Sequence, residues 1–183
     1  ATLPLRQPLQ LAIQWASLDL LSKGRTILGV CNGHSGLEGP YFERELRAMG
    51  VRSQDRAPRV EEGIEVLRKA WAPGPIQHEG RFYSFRDVDC LPKPVQTSIP
   101  ILIAVVPGMG GATSGPDAEE RIFRRVARLA NGWQSGPRSP EVFGQHWRRI
   151  LEYADEYGRR HEVTRSAIHF RVNIDDDPER ARR

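Results

Sequence analysis

Cysteine is scarce, with only Cys31 and Cys90 in 183 residues. The two lie far apart and form no C-x-x-C pair, so a reducing cytosol is the expected surrounding. Long apolar runs are missing too. The longest covers about residues 101–107, far short of the roughly 20 residues that span a bilayer, so no membrane is expected among the partners. The first residues show no charged segment followed by an apolar run and a small-residue cleavage site. No H-E-x-x-H string occurs, and Glu61-Glu62 and His78-Glu79 stand too isolated for ligation, so no metal is expected. Internal repeats and low-complexity tracts are absent as well.

Positive charge is in modest excess, at +4, and arginine supplies it: Arg124, Arg125 and Arg128, Arg148 and Arg149, Arg159 and Arg160, then Arg180, Arg182 and Arg183. Most of these fall on polar faces of expected helices, where long cations simply meet solvent. No aromatics alternate with them and no helix-turn-helix or RNP-like string appears, so nucleic acid is not an expected partner. Hydrophobic content of 39% beside 27% charged residues is that of an ordinary globular chain, and the length fits one domain over 1–183.

The elements follow from periodicity. Pro8 opens a helix with Leu9, Ala12, Ile13, Ala16 and Leu20 on one face, closed by Lys23 and Gly24. Residues 25–31 make a short strand, and residues 32–39 a glycine-rich loop. A helix spans about 58–71, and a hairpin excursion about 76–95 ends in Pro92 and Pro94. Residues 99–106 are nearly all apolar, as in a strand buried on both faces of a parallel sheet. Asp117 with Glu120 has capping-box spacing before a helix reaching Ala130. Asn131-Gly-Trp133 is a brief strand, and Ser139-Pro-Glu opens a helix that ends at Gly158. Residues 166–174 then alternate. Ile168, Phe170, Val172 and Ile174 are expected under helices, with His169, Arg171 and Asn173 on the opposite face. One more helix begins near Asp177.

This α-β order implies a parallel sheet with helical crossovers. Polar residues on one face of the last strand suit a barrel, whose lumen tolerates polar groups near its top. The expected fold class is therefore α/β, a parallel (β/α)8 TIM barrel of which the central strands and helices are present, with a small hairpin insertion. Four strands cannot close such a barrel, and Ala1-Thr-Leu-Pro4 reads as the exit of a strand. Unpaired strand edges would then favour a homodimer or other edge-mediated association, and a marginal fold for the chain alone.

Several strings carry a resemblance. They are Leu3-Pro-Leu-Arg-Gln-Pro8, Leu18-Asp-Leu-Leu-Ser-Lys-Gly-Arg25, Leu28-Gly-Val30 and Arg59–Trp71, then His78-Glu-Gly-Arg-Phe-Tyr83, Pro92-Lys-Pro-Val-Gln96, Ala127-Arg-Leu-Ala-Asn-Gly-Trp133 and Asp175-Asp-Asp-Pro-Glu-Arg180. In this order they resemble the central core of the bacterial luciferase-like monooxygenase family. The resemblance implies a (β/α)8 barrel that uses FMN or a deazaflavin (coenzyme F-420) for hydride transfer or oxygen insertion on a small-molecule substrate. It implies a span from the end of the third barrel strand to the start of the seventh main helix, with part of the flavin bed and the acid or base in many members lying outside that span. This sequence departs from the family at Cys31, where glycine is common. It departs again at Val106-Pro-Gly-Met-Gly-Gly-Ala112, which is longer than the family's tight Gly-Gly.

Ligands of a barrel meet the C-terminal ends of its strands. Asn32, Gly33 and His34 follow one strand, where an amide and an imidazole suit a ring edge; a plain turn would also choose Asn and Gly. Gly108, Gly110 and Gly111 follow the next strand and could cradle a phosphate by backbone N–H groups. No dinucleotide fingerprint results, because Thr113 stands at the third glycine, and Asp117, Glu119 and Glu120 oppose an anion. Trp133 resembles the tryptophan of a family Asp-Gly-Trp and is a candidate wall of the cofactor site, or a core residue. Arg171 is a candidate for the polar edge of the ring. Cys31 is read as a small buried residue rather than a nucleophile. A non-redox barrel acting on a phosphorylated substrate, or a non-catalytic barrel fragment acting by association, are the competing readings.

Overall fold

The elements in chain order are α1 (Pro8–Ser22), β1 (Leu28–Val30), α2 (Tyr41–Ala48), α3 (Arg56–Trp71), β2 (Ile76–Glu79), β3 (Ser84–Val88), β4 (Ile101–Ala104), α4 (Pro116–Leu129), β5 (Gly132–Ser135), α5 (Pro140–Glu156), β6 (Arg165–Ile168) and α6 (Pro178–Ala181). The computed structural model describes residues 1–33, 41–108, 115–170 and 172–181. Strands β1, β4, β5 and β6 form one parallel sheet in that spatial order, while β2 and β3 pair separately as an antiparallel hairpin. Spatial order thus follows chain order, with no reversal of the kind that creates a switch point in a doubly wound sheet. At the outer edge of β1, Thr2 bridges Cys31 in parallel, and the Leu3 amide donates to the Cys31 carbonyl at 3.0 Å. The first residues therefore lie as the exit of a further strand would.

All the long helices cover the same face. Leu28, Val30, Ile101, Ile103 and Trp133 of the sheet share a core with Val60, Ile64 and Leu67 of α3, Ile122 and Val126 of α4, and Ile150 and Tyr153 of α5. Helix α1 packs on α3 and α4 on α5, and the Trp71 indole donates to the Ala12 carbonyl at 3.1 Å across the first pair. A sheet wound in one direction with helices on one side is an arc of a β/α barrel, open at β1 and β6 within these residues. No helix among the described residues is long and apolar enough to cross a membrane.

Several expectations are corrected. Helix α1 buries Leu11, Ala12, Ala16 and Asp19, whereas Ile13 and Leu20 are exposed at 38% and 43%. Only the flank against α3 is covered, which rotates the buried stripe. Helix α4 has no capping box: Pro116 starts it after Gly115, which has no side chain to cap with. Helix α2 lies just beyond a stretch read as loop, with Leu46 its one buried residue.

The largest departure is β6, which stops at Ile168. Phe170, Val172 and Ile174 are 59%, 75% and 90% exposed rather than covered by helices. The ladder ends because β5 ends at Ser135 and is followed by Gly136 and Pro137, so only the His169 amide still finds a partner, the Ser135 carbonyl at 3.1 Å.

Candidate functional site

The two ends of the sheet differ in chemistry. At the end where strands begin, polar side chains are spent on scaffolding. Asp19, fully buried, accepts from the Thr26 hydroxyl at 2.6 Å and from the Gln96 amide N–H and side chain at 2.9 and 2.7 Å. Burial alone would raise its pKa, but these hydrogen bonds prevail and hold it down at about 2. Asn131 accepts from the Ile101 amide at 3.1 Å through its side chain, while its own amide donates to the Ile101 carbonyl at 2.8 Å. Its carbonyl receives the Thr164 and Arg165 amides, so one residue ties β4, β5 and β6 together.

At the strand exits, partners are left over. The Arg138 guanidinium donates to the Pro107 carbonyl, linking the exits of β5 and β4, while its Nε has no partner. The Ser135 hydroxyl is fully buried and also unpartnered. His146 of α5, its ring tilted against those of Phe123 and Trp133, leaves Nδ1 unpaired. Burial and the Arg138 charge hold its pKa below the ordinary value, against the pull of Glu119. Buried polar atoms are normally paired; among the described residues Trp15, Arg59 and Tyr83 also keep an unpaired atom on α1, α3 and the hairpin, and Ser135, Arg138 and His146 make the rim one place for a ligand or ordered water.

A cavity of about 230 Å3 opens beside that rim, between the exits of β1 and β4 and helices α3 and α4. Val60, Ile103, Ala118 and Ile122 make an apolar wall, and Asn32, Arg121 and Arg125 supply the polar groups. Glu61 engages Arg125 at 2.8 Å; burial works against its ionisation, but Arg125 and Arg128 outweigh that and lower its pKa. Arg121 forms no ion pair among the described residues and leaves the cavity with an uncompensated cation. A larger groove of about 580 Å3 lies on the outer surface between α3, the hairpin turn and the end of α4. Its charges mostly satisfy one another there: Glu62 takes His78 Nε2 at 3.2 Å and the Tyr83 amide at 2.8 Å, and Lys69 pairs with Glu65 at 2.8 Å. It adjoins the smaller cavity through Glu61, which pairs with Arg128 of the groove and Arg125 of the cavity.

The face of the sheet away from the helices is lined in register. Gly29, Leu102 and Gly132 make one row, and by strand alternation Cys31, Ala104, Gln134 and Ala167 make the row nearer the rim. Three small side chains and one amide leave a shallow bed for a flat group.

Of the residues expected at the site, Asn32 lines the cavity. Gly33 adopts φ +85° with the Phe42 ring packed where a side chain would project, so no other residue fits there. Gly108 sits against the Glu119 carboxylate. Trp133 does not join them. It is fully buried on the helix side, stacked on Phe143 at 4.9 Å, with its indole donating to the Val105 carbonyl at 3.0 Å. Alternation in β5 turns Trp133 inward and Gln134 to the open face. His34, Gly110, Gly111 and Arg171 lie outside the described residues. His169 stands at the rim beside Gly136, and Asn173 donates to the Arg180 carbonyl at 2.6 Å, away from it. Glu62 and His78 are not isolated, since the fold pairs them, yet among the described residues no three His, Cys, Asp or Glu side chains are grouped to hold a metal. The sequence reading missed Arg121, Arg138 and Gln134. Gln134 alone had a signal, as the polar member of an alternating strand.

Comparison with known proteins gives a consistent result. The family model described as luciferase-like monooxygenase matches residues 1–183. A protein of Mycobacterium tuberculosis without an assigned function is 32% identical over 135 residues, covering 74% of this chain and 42% of that protein. The F420-dependent glucose-6-phosphate dehydrogenase of Amycolatopsis mediterranei is 27% identical over 173 residues, covering 85% and 47%. The crystal structure of monooxygenase RslO1 from Streptomyces bottropensis superposes with a TM-score of 0.73 at 23% identity, covering 98% of this chain and 50% of that one. The chain spans less than half the length of these two curated relatives.

Proposed function

The chain belongs to the luciferase-like monooxygenase family, and we propose that it builds one side of the cofactor site of a flavin- or deazaflavin-dependent oxidoreductase acting on a small organic substrate. The observation that carries this reading is the pairing of a shallow bed with an anion pocket at one rim. Cys31 and Ala167 are small and the Gln134 side chain lies across Ala104 between them, so a planar ring can lie over this row, and the cavity between α3 and α4 suits a phosphate.

In this reading Asn32 and Arg121 hold the phosphate, with the backbone at Gly33 and Gly108 shaping the approach. Glu119 beside Gly108 keeps the anion toward Arg121, since a carboxylate repels it. Trp133 stiffens β5 from behind and makes no contact with the ring. When bound, a flavin supplies hydride transfer and oxygen activation, and a deazaflavin supplies hydride transfer. The protein's part is to fix the ring against the sheet and keep water from that face. The remaining wall, and with it the acid or base, belongs to residues beyond this bed. The hairpin, about residues 76–95, is read as an insertion that braces α3 and leaves the site untouched.

Titration with FMN and with coenzyme F420, followed by absorbance and fluorescence, tests the proposal. Tight binding of one of them is expected. Failure of both while a sugar phosphate binds would instead establish a non-redox barrel.

A further inference from the structure

Resting on the reading that the open face takes a flavin-type ring, we infer that Gln134 reads the pyrimidine edge of that ring, and that Gly29 is the residue that permits it. Gln134 is in register with Ala104 of β4, which lies between β5 and β1. Its side-chain oxygen nevertheless ends 3.3 Å from the point where a β-carbon on Gly29 of β1 would stand. The side chain therefore lies across β4 toward β1, which stands two interstrand spacings, roughly 10 Å, from β5. Two features allow this path: the alanine at 104 is low enough to be crossed, and the glycine at 29 leaves the landing place open.

What the amide does there is unassigned by the fold. Gln134 is half-buried, yet its side chain makes no hydrogen bond to any described residue. A scaffolding glutamine looks different: Gln96 engages both Asp19 and the Thr26 carbonyl through its amide. A free carboxamide held flat against a sheet offers one acceptor and two donors side by side. Its complement is a ligand edge on which an N–H adjoins a carbonyl, as on the pyrimidinedione ring that flavins and deazaflavins share. Gln134 is thus a specificity residue for that edge and is indifferent to the ring position that is nitrogen in a flavin and carbon in a deazaflavin. Recognition of the ring is separate from recognition of the phosphate, which falls to the cavity beyond β4.

The test compares dissociation constants for whichever of FMN and F420 binds, and for its N3-methylated analogue, in which the edge N–H is blocked. The wild-type protein is expected to prefer the unmethylated ligand about tenfold, the worth of one to two neutral hydrogen bonds. Gln134→Leu should bind both ligands at the weaker value, with its melting temperature unchanged. Gly29→Ala, whose methyl would stand 3.3 Å from the amide oxygen and shift it by a few tenths of an ångström, should narrow the preference by less than Gln134→Leu does. If Gln134→Leu keeps the wild-type preference, the assignment falls and the cofactor reading stands. If the wild-type protein binds neither FMN nor F420, both fall.

Discussion

The two ends of the sheet are built on opposite terms. Where the strands begin, Asp19, Thr26, Gln96 and Asn131 are paired, and several partners come from distant sequence, such as Asp19 with Gln96 and Arg68 with the Leu129 carbonyl at 2.6 Å. Where the strands end, Ser135, Arg138 and His146 each keep an unpaired buried atom, and Arg121 forms no ion pair among the described residues. In β/α barrels conservation at the first end reads as stability and at the second as chemistry, and the bonding pattern here divides the same way. It also explains why the strings that carry the family resemblance, Leu18–Arg25, His78–Tyr83 and Pro92–Gln96, say so little about the reaction. They meet one another at the closed end and on the hairpin, away from the rim.

Removing Asp19 should break the contrast most sharply. Asp19→Ala strands the Thr26 hydroxyl and both Gln96 donors and is expected to cost about 3 kcal/mol in urea denaturation, while cofactor affinity of the folded protein is unchanged. If that variant does not fold, Thr26→Val removes one donor alone and should cost about 1 kcal/mol. The same site gives an acid signature. Its folded pKa of about 2 lies below the unfolded value, so its stabilisation is complete above pH about 4 and is lost as pH falls toward 2. Stability measured across that window should fall in the wild-type protein by a share that is missing in Asp19→Asn.

Asn131→Ala, which leaves the Ile101 amide without its side-chain acceptor, should cost about 1.5 kcal/mol by the same measurement. At the other end the expected effect moves from stability to binding. Arg121→Gln should weaken FMN or F420 about fivefold at low salt, with a smaller loss at high salt and an unchanged melt. A drop in melting temperature instead would make Arg121 a scaffold residue and blur the division. Smallest of all, Ile174→Ser should shift stability by less than about 0.5 kcal/mol, the ordinary result for a solvated position.

That last case shows where the sequence was legible and where it was not. The helices of α1, α3, α4 and α5, the hairpin and the parallel order were readable because each rests on local periodicity or on a Pro or Gly boundary. Residues 169–174 alternate as convincingly as a strand should, yet a strand needs a neighbour, and β5 withdraws its ladder at Gly136-Pro137. Alternation is a property of one segment; pairing is a property of two. The site divides in the same manner. Asn32 and Gly33 were visible because they follow a strand. Gln134 had only the signal of a polar residue in an alternating strand, because its meaning lies in the absence of a side chain at Gly29, two strands away. Trp133 is a core residue, one of the two readings its motif offered, because alternation in β5 turns it to the helix side.

Helix α4 ends in a grip whose consequence is kinetic. Its last carbonyls are held from one flank by Arg68 of α3 and from the other by Arg159, which follows α5 and reaches both Ala127 and Ala130 at 2.6 and 3.2 Å. Neither neighbouring unit can swing away without abandoning a buried guanidinium or uncovering a carbonyl. Three successive units therefore open together or not at all, and the amides of α4 should exchange with solvent deuterium only through that concerted opening. Helix α2, held by Leu46 and by Phe42 against Gly33, has no such pair of guanidinium grips on its last carbonyls among the described residues, and its amides should exchange sooner.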